Sequence, residues 1–276
     1  MTQTIDVARF AELLREAAKA EIMPRFRNLS DGDVRQKTSA TDLVTEADEA
    51  AERFIARECQ RLLPDALFVG EESVAADPGL LDRLNEAELA IVVDPVDGTA
   101  NFAGGLPLFA VMAAIVVKGE TVAGLIYDPL GDDCILAEKG GGARRLLASG
   151  EEARLSTAAP MPLSEAVGCI STSYFPQALK AHLLPGLGAI KIAANYRCAG
   201  HEYRLLASGG SQFSAYAKLM PWDHLAGALI TMEAGGHVAK IDGSPYTPLD
   251  REGAMIAAAS EEAWHAVKAT LFPSAV

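Results

Sequence analysis

"IVVDPVDGTANF", residues 91–102, carries three β-branched residues, Ile91, Val92 and Val93, into two aspartates placed either side of a proline and a valine. A short apolar run bounded by turn signals reads as a buried strand. Pro95 removes a backbone donor and fixes φ, so the strand is expected to end at Asp94. The two carboxylates then emerge at a strand terminus, where a tight turn lets Asp94 and Asp97 converge with the carbonyl of Val96 as a third oxygen. Like charges that close ionise together only if a cation lies between them. An all-oxygen set favours Mg²⁺, Mn²⁺ or Ca²⁺ over zinc. The competing reading is an Asx-type turn completed by Gly98.

Working outward, "VGEESV" (69–74) places Glu71 and Glu72 directly after a short apolar run at 66–69, and alone such a pair reads as a solvated loop. "MPWDHLAGALITMEAGG" (220–236) puts Asp223 at the start of a small-residue helix stopped by Gly235 and Gly236, where an ordinary N-cap is the simpler reading. "TEADEAAERFIARECQRLL" (45–63) has helical spacing, with Thr45 and Asp48 resembling a cap. The polar stretch "RNLSDGDVRQKTSATDLVT" (27–45) before it reads as a loop. At the N-terminus, Phe10, Leu13, Leu14, Ala17 and Ala18 share one helical face, and Asp6, Arg9 and Glu12 interrupt what a signal peptide needs apolar.

Further apolar runs at 109–117, 122–127 and 134–137 read as strands, the first two joined by a hairpin turning at 118–121. Residues 1–150 are thus expected to form an α+β half, two helices on a largely antiparallel sheet, bearing most of the acids. The proline-rich stretch 155–166 marks a boundary. In the second half, 151–276, strand-like runs (167–171, 213–216, 237–241, 255–259) alternate with helix-like ones (175–184, 199–208, 223–234, 261–271), the pattern of an α/β layered unit.

Half of the 276 residues are hydrophobic and 22% are charged, so a large core is available. The formal net charge of −13 argues against nucleic acid or an anionic membrane as partner. A phosphate ester approaches such a surface only where positive charge is concentrated, and a bound cation is one source. The 4 cysteines form no C-x-x-C pair and read as reduced core thiols of a cytoplasmic protein. The longest uncharged run, 98–117, contains Asn101, Pro107, Gly104 and Gly105, and is expected to be a loop plus a buried strand rather than a membrane span.

Taken together, "GEES" (70–73), "DPVDGTANF" (94–102), "WDHLAGALITMEAGG" (222–236) and "KTSATDLVTEAD" (37–48) resemble the inositol monophosphatase family, over about residues 5–270. The resemblance implies a layered α/β (α+β) sugar-phosphatase fold, with helices alternating with mixed or antiparallel sheets, and a homodimer. It implies a lithium-sensitive phosphatase acting on a small polyol or sugar phosphate, inositol-1-phosphate-like. Two or three Mg²⁺ ions, with Mn²⁺ as a substitute, would be held by Glu71, Asp94, the Val96 carbonyl, Asp97 and Asp223. Glu71 and Thr99 would hold the nucleophilic water, Thr99 relayed to Asp48, and the amides of Gly98 and Thr99 would bind phosphate. Lys37 either contacts phosphate or is solvated.

The sequence departs from the family at the substrate pocket. "YRCAGHEYRLLASGG" (196–210) is shorter than the family's segment, and Tyr216 stands where inositol-specific members carry a glutamate. A tyrosine cannot accept bidentately as a carboxylate does. His201, Glu202, Tyr203 and Tyr216 are candidates for the leaving-group pocket, with Tyr203 and Tyr216 alternatively core aromatics and His224 a packing residue. A 3'(2'),5'-bisphosphate nucleotidase or a histidinol-phosphate-type phosphatase is the alternative reading within the family. A non-catalytic binding protein is the alternative outside it. Haloacid-dehalogenase chemistry is excluded, because its nucleophilic aspartate would fall on Pro95.

Overall fold

The computed structural model describes residues 6–30, 32–37 and 43–273. Residues 1–5 of the N-terminal stretch, and 38–42 within the 37–48 segment, lie outside them. Helices α1 (Val7–Ala17) and α2 (Glu46–Leu62) flank a short antiparallel pair, β1 (Val34–Gln36) and β2 (Leu43–Thr45). A seven-stranded sheet follows: β3 (Leu67–Gly70), β4 (Leu89–Asp97), β5 (Ala110–Val117), β6 (Glu120–Asp128), β7 (Asp133–Glu138), β8 (Gly142–Leu147) and β9 (Glu152–Arg154). Short helices α3 (Glu71–Ala76), α4 (Leu80–Glu86) and α5 (Thr99–Ala103) sit between its early strands.

The second sheet has five strands in the order β11-β10-β12-β14-β13: β10 (Val167–Ile170), β11 (Ile192–Ala194), β12 (Phe213–Tyr216), β13 (His237–Lys240) and β14 (Met255–Ala258). Helices α6 (Gln177–Gly186), α7 (Ala199–Ala207), α8 (Pro221–Glu233) and α9 (Glu261–Leu271) are interleaved with it.

Side-chain alternation explains the layering. On β5, Val111, Ala113 and Ile115 face α1 and α2, while Ala110, Met112, Ala114 and Val116 face the core built on α7 and α8. On β14, Met255 and Ala257 share that central core, whereas Ile256 and Ala258 pack against α6 and α9. The order is therefore helices, seven-stranded sheet, helices, five-stranded sheet, helices. Away from the margins at β8, β9 and β11, both sheets are covered on both faces, which is why those strands read as continuous apolar runs. The α+β layered architecture expected from the sequence is the one observed.

Two expectations are corrected. The stretch 27–45 is not all loop, since β1 and β2 pair across it; all three β1 residues are exposed, so β1 carries no burial pattern, whereas β2 buries Val44 and Thr45. Nor does β4 stop at Asp94. It runs to Asp97 through a β-bulge, with Asp94 opposite Met112 and Asp97 opposite Ala110. The β3 pairing ends at Gly70 with Val93, so beyond it Pro95 has one neighbouring strand, and the bulge absorbs its missing donor.

The bulge has a consequence for the acids. Residues three apart on a regular strand point to opposite faces. The extra residue cancels one alternation, so Val93 and Val96 both enter the α1/α2 core while Asp94 and Asp97 both face the cavity on the other side.

Candidate active site

A cavity of about 440 Å³ opens at the C-terminal end of β4. Glu71, Asp94, the backbone of Val96, Asp97, Gly98, Thr99 and Asp223 all line it, although they come from three separated parts of the chain. Glu71 begins α3 directly after β3, and Asp223 lies in the first turn of α8, whose N-cap is Met220. Asp223 is therefore not the simple cap that its sequence position suggests.

Asp94, Asp97 and Glu71 each have a protein partner. Asp94 accepts from the Val96 amide at 3.0 Å and is 2% exposed. Asp97 accepts from the amides of Ala199 (3.2 Å) and Gly200 (2.5 Å) and from the Cys198 thiol (3.0 Å), so it caps α7 from another element. The positive end of α7 thus offsets the Asp97 charge, a role the sequence argument gave to a cation alone. Glu71 pairs with Lys37 at 2.9 Å, and the same ammonium reaches Glu72 at 2.6 Å.

Held this way, no three acidic, histidine or cysteine side chains among the described residues stand close enough to hold an ion. What the structure brings together is an all-oxygen donor set around one space, buried and under mutual repulsion. Burial, then the charges of Glu71, Asp97 and Asp223, push the Asp94 carboxyl well above the ordinary carboxylate range. Burial does the same to Asp223, with Lys218 opposing it. Asp97 is also raised by burial, though its thiol and amide donors pull the other way. Hard divalent cations fit such a set.

The Thr99 hydroxyl stands 3.0 Å from both Asp48 Oδ1 and the Val96 carbonyl. Asp48 is fully buried and also accepts from the Thr45 amide at 2.9 Å, closing a capping box at the start of α2. Burial raises its pKa to about 7. Before α5, Gly98 holds φ 90°, and a Cβ there would lie 2.8 Å from the Leu108 carbonyl oxygen. Gly98→Ala is expected to cost about 2 kcal/mol or more in a urea denaturation midpoint, from left-handed strain and that contact.

The far wall comes from α7 and the end of β12. Glu202 and Tyr216 line the cavity, as do Arg197 and Lys218. Glu202 is 2% exposed, accepts from the Tyr196 amide at 3.0 Å, and is raised by burial to about 7. Arg197 sits at φ 54°, its amide held by Asn195 Oδ1 at 2.9 Å. The sequence reading missed Arg197, Lys218 and Cys198 as cavity residues.

His201 and Lys37 do not line the cavity. His201 Nε2 lies 3.1 Å from the Phe109 carbonyl, because each helical residue turns about 100° from the last and points it away from the side that Glu202 faces. Tyr203 is fully buried and bonds His224 Nδ1 at 3.2 Å. His224 reaches the Lys218 carbonyl through Nε2 at 2.7 Å, lines the cavity, and is held neutral by burial with a pKa of about 4.

Comparison with known proteins places this geometry in a lineage. A family model for the inositol monophosphatase family matches residues 4–275. The chain is 31% identical over 256 residues to an inositol-1-monophosphatase of Caulobacter vibrioides, covering 91% of this chain and 94% of that one. It is 31% identical over 218 residues to a fructose-1,6-bisphosphatase/inositol-1-monophosphatase of Thermotoga maritima, covering 76% of each. The crystal structure of the extragenic suppressor protein suhB from Bartonella henselae superposes with a TM-score of 0.81 at 26% identity, covering 98% of this chain and 100% of that one.

Proposed function

Because this chain belongs to the inositol monophosphatase family, we propose that it is a Mg²⁺-dependent phosphomonoesterase acting on a small polyol or sugar phosphate. The observation that carries the reading is the gathering of Glu71, Asp94, Val96, Asp97, Thr99 and Asp223 around one cavity. Glu71, Asp94, the Val96 carbonyl, Asp97 and Asp223 would hold two or three Mg²⁺ ions, with Mn²⁺ as a substitute. When bound, the ions supply positive charge for a phosphate on the acidic side of the cavity, and lower the pKa of water.

The chain's own residues do the rest. Thr99 Oγ1 has one proton to give, and giving it to Asp48 leaves a lone pair to accept from a water. Asp48, with a pKa of about 7, is suited to receive a proton through Thr99 near neutral pH. Glu71 holds the same water from the α3 side. Gly98 and Thr99 amides at the start of α5 would bind phosphate oxygens. Lys37 acts as counter-charge to Glu71 and Glu72.

Glu202 and Tyr216 face the leaving group, and Arg197 and Lys218 add positive charge to the same wall. That mixed lining also favours a second reading, a nucleotide bisphosphate or an amino-alcohol phosphate, in which the leaving group carries its own charge. Release of phosphate from a panel of polyol, sugar, nucleotide and amino-alcohol phosphates, with and without Mg²⁺, tests both. Ion-dependent turnover of at least one class is expected, and none at all would remove the phosphatase reading.

A homodimer is proposed from family membership, with sedimentation velocity as its check. A cytoplasmic setting agrees with 4 buried free cysteines. No helix of the described residues is long and apolar enough to cross a membrane.

A further inference from the structure

Glu52 has no part in the chemistry above, yet it is a heavily bonded carboxylate beside the cavity. It projects from α2 one turn after Asp48, on the same helix face, and is 4% exposed. Its oxygens accept from the Glu72 amide at 2.8 Å, the Ser73 amide at 2.7 Å and the Ser73 hydroxyl at 2.5 Å. These donors belong to the first turn of α3, the helix that Glu71 opens. Gly70, at the N-cap position, has no side chain to satisfy them, and Glu52 does so from another helix.

Gly70 is itself part of the arrangement. A methyl group at position 70 would overlap the Glu52 carboxyl, so glycine is what lets the carboxylate reach the α3 backbone. Asp48 and Glu52 thus make two grips from one rigid helix. The first holds Thr99, and the second holds the backbone that presents Glu71 and Glu72.

We infer that Glu52 is a positioning residue that fixes the Glu71 segment relative to Thr99, setting the ion affinity of the site through backbone geometry. This rests on the reading of the site as an ion-dependent phosphatase centre. A side chain that orients a ligand-bearing segment acts on affinity as well as on stability, whereas a cap that merely stabilises α3 acts on stability alone.

The test is Mn²⁺ binding to the full-length protein, followed by electron paramagnetic resonance, alongside phosphate release and thermal denaturation. In Glu52→Gln the new amide group opposes a backbone donor, and half-saturating Mn²⁺ is expected to rise about ten- to a hundredfold. Removing a negative charge also weakens cation binding, so a variant that keeps every charge is needed. Gly70→Ala displaces the carboxylate without changing charge and is expected to raise the Mn²⁺ midpoint in the same direction. In a Glu52→Ala background the added methyl group has room, so Gly70→Ala is expected to add nothing further.

Should Glu52→Gln fail to fold, Gly70→Ala decides, and Ser73→Ala, which removes one of the three bonds, is expected to raise the midpoint about threefold. Folded Glu52→Gln or Gly70→Ala protein with the wild-type Mn²⁺ midpoint and a lowered melting temperature would overturn the inference. Wild-type protein that binds Mn²⁺ but releases no phosphate from any ester would instead remove the phosphatase reading. The two failures are thereby separable.

Discussion

Asp94→Asn is expected to lower ion-dependent phosphate release on the order of a thousandfold while making the ion-free protein more stable. The kinetic loss follows from removing one ionic contact worth about 4 kcal/mol in the transition state. The stability gain has a separate cause. Asp94 is 2% exposed and is repelled by Glu71, Asp97 and Asp223, so burial and like charge hold its carboxyl well above the ordinary range. Asparagine keeps the oxygen that accepts from the Val96 amide at 3.0 Å and discards the charge. A gain of about 1–3 kcal/mol at pH 8 is expected from urea denaturation without divalent ions.

Asp97→Asn makes the contrast. Its side chain accepts two backbone amides of α7 and the Cys198 thiol, and an asparagine nitrogen would face a donor. Activity and stability are expected to fall together, stability by about 1–2 kcal/mol. Neighbouring aspartates in one motif thus separate chemistry from scaffold.

The ion-free protein is also expected to lose stability as pH rises from about 5 to 8, and to regain it on adding Mg²⁺. Asp48, Glu72 and Glu202 are raised to about 7, mainly by burial, and Asp94, Asp97 and Asp223 are raised too. For an acid whose folded pKa exceeds its unfolded value, the native state binds more protons across the interval between them, so raising pH through it favours unfolding. His224, lowered from 6.5 to about 4, works in the opposite sense below pH 6.5 and is one group against several. Surface acids with lowered pKa, such as Asp132 and Asp250, titrate below this window.

A fall in melting temperature of about 5 °C or more between pH 5.5 and 8 is expected from differential scanning calorimetry. Mg²⁺ at a hundred times its Kd is expected to restore about 2.7 kcal/mol at pH 8. A melting temperature that climbs with pH in the absence of ions would contradict the burial of uncompensated carboxylates.

How much of this was legible in the sequence depends on distance along the chain. The Thr45–Asp48 cap and the hairpin at 118–121 are local, and both are where the residue pattern puts them, with Lys118 and Gly119 at positive φ. Most strands of both sheets were legible as apolar runs because both faces are covered there, but β11, two of whose three residues are exposed, was not. β8 and β9 were not, because charged residues such as Arg144, Arg145, Glu152 and Arg154 lie on this exposed margin of the sheet. The bulge was hidden behind the usual meaning of proline.

Cross-chain capping was the least legible feature. Nothing near Asp97 in sequence announces Ala199 and Gly200, and Glu52 sits in a helix already rich in acids. Its one signal was the four-residue spacing from Asp48 next to the apolar Ala51 and Ile55, which places a charge where a core residue belongs. His201, named beside Glu202 as a pocket candidate, lies instead against the Phe109 carbonyl, because consecutive helical residues point about 100° apart.

The central claim is that divalent ions are held by oxygen atoms of Glu71, Asp94, Val96, Asp97 and Asp223. Anomalous diffraction from a crystal soaked in Mn²⁺ tests it most directly. Manganese peaks bounded by those five residues, with Glu71 released from Lys37, are predicted; peaks only at other acids, or none in the cavity at saturating Mn²⁺, would contradict it.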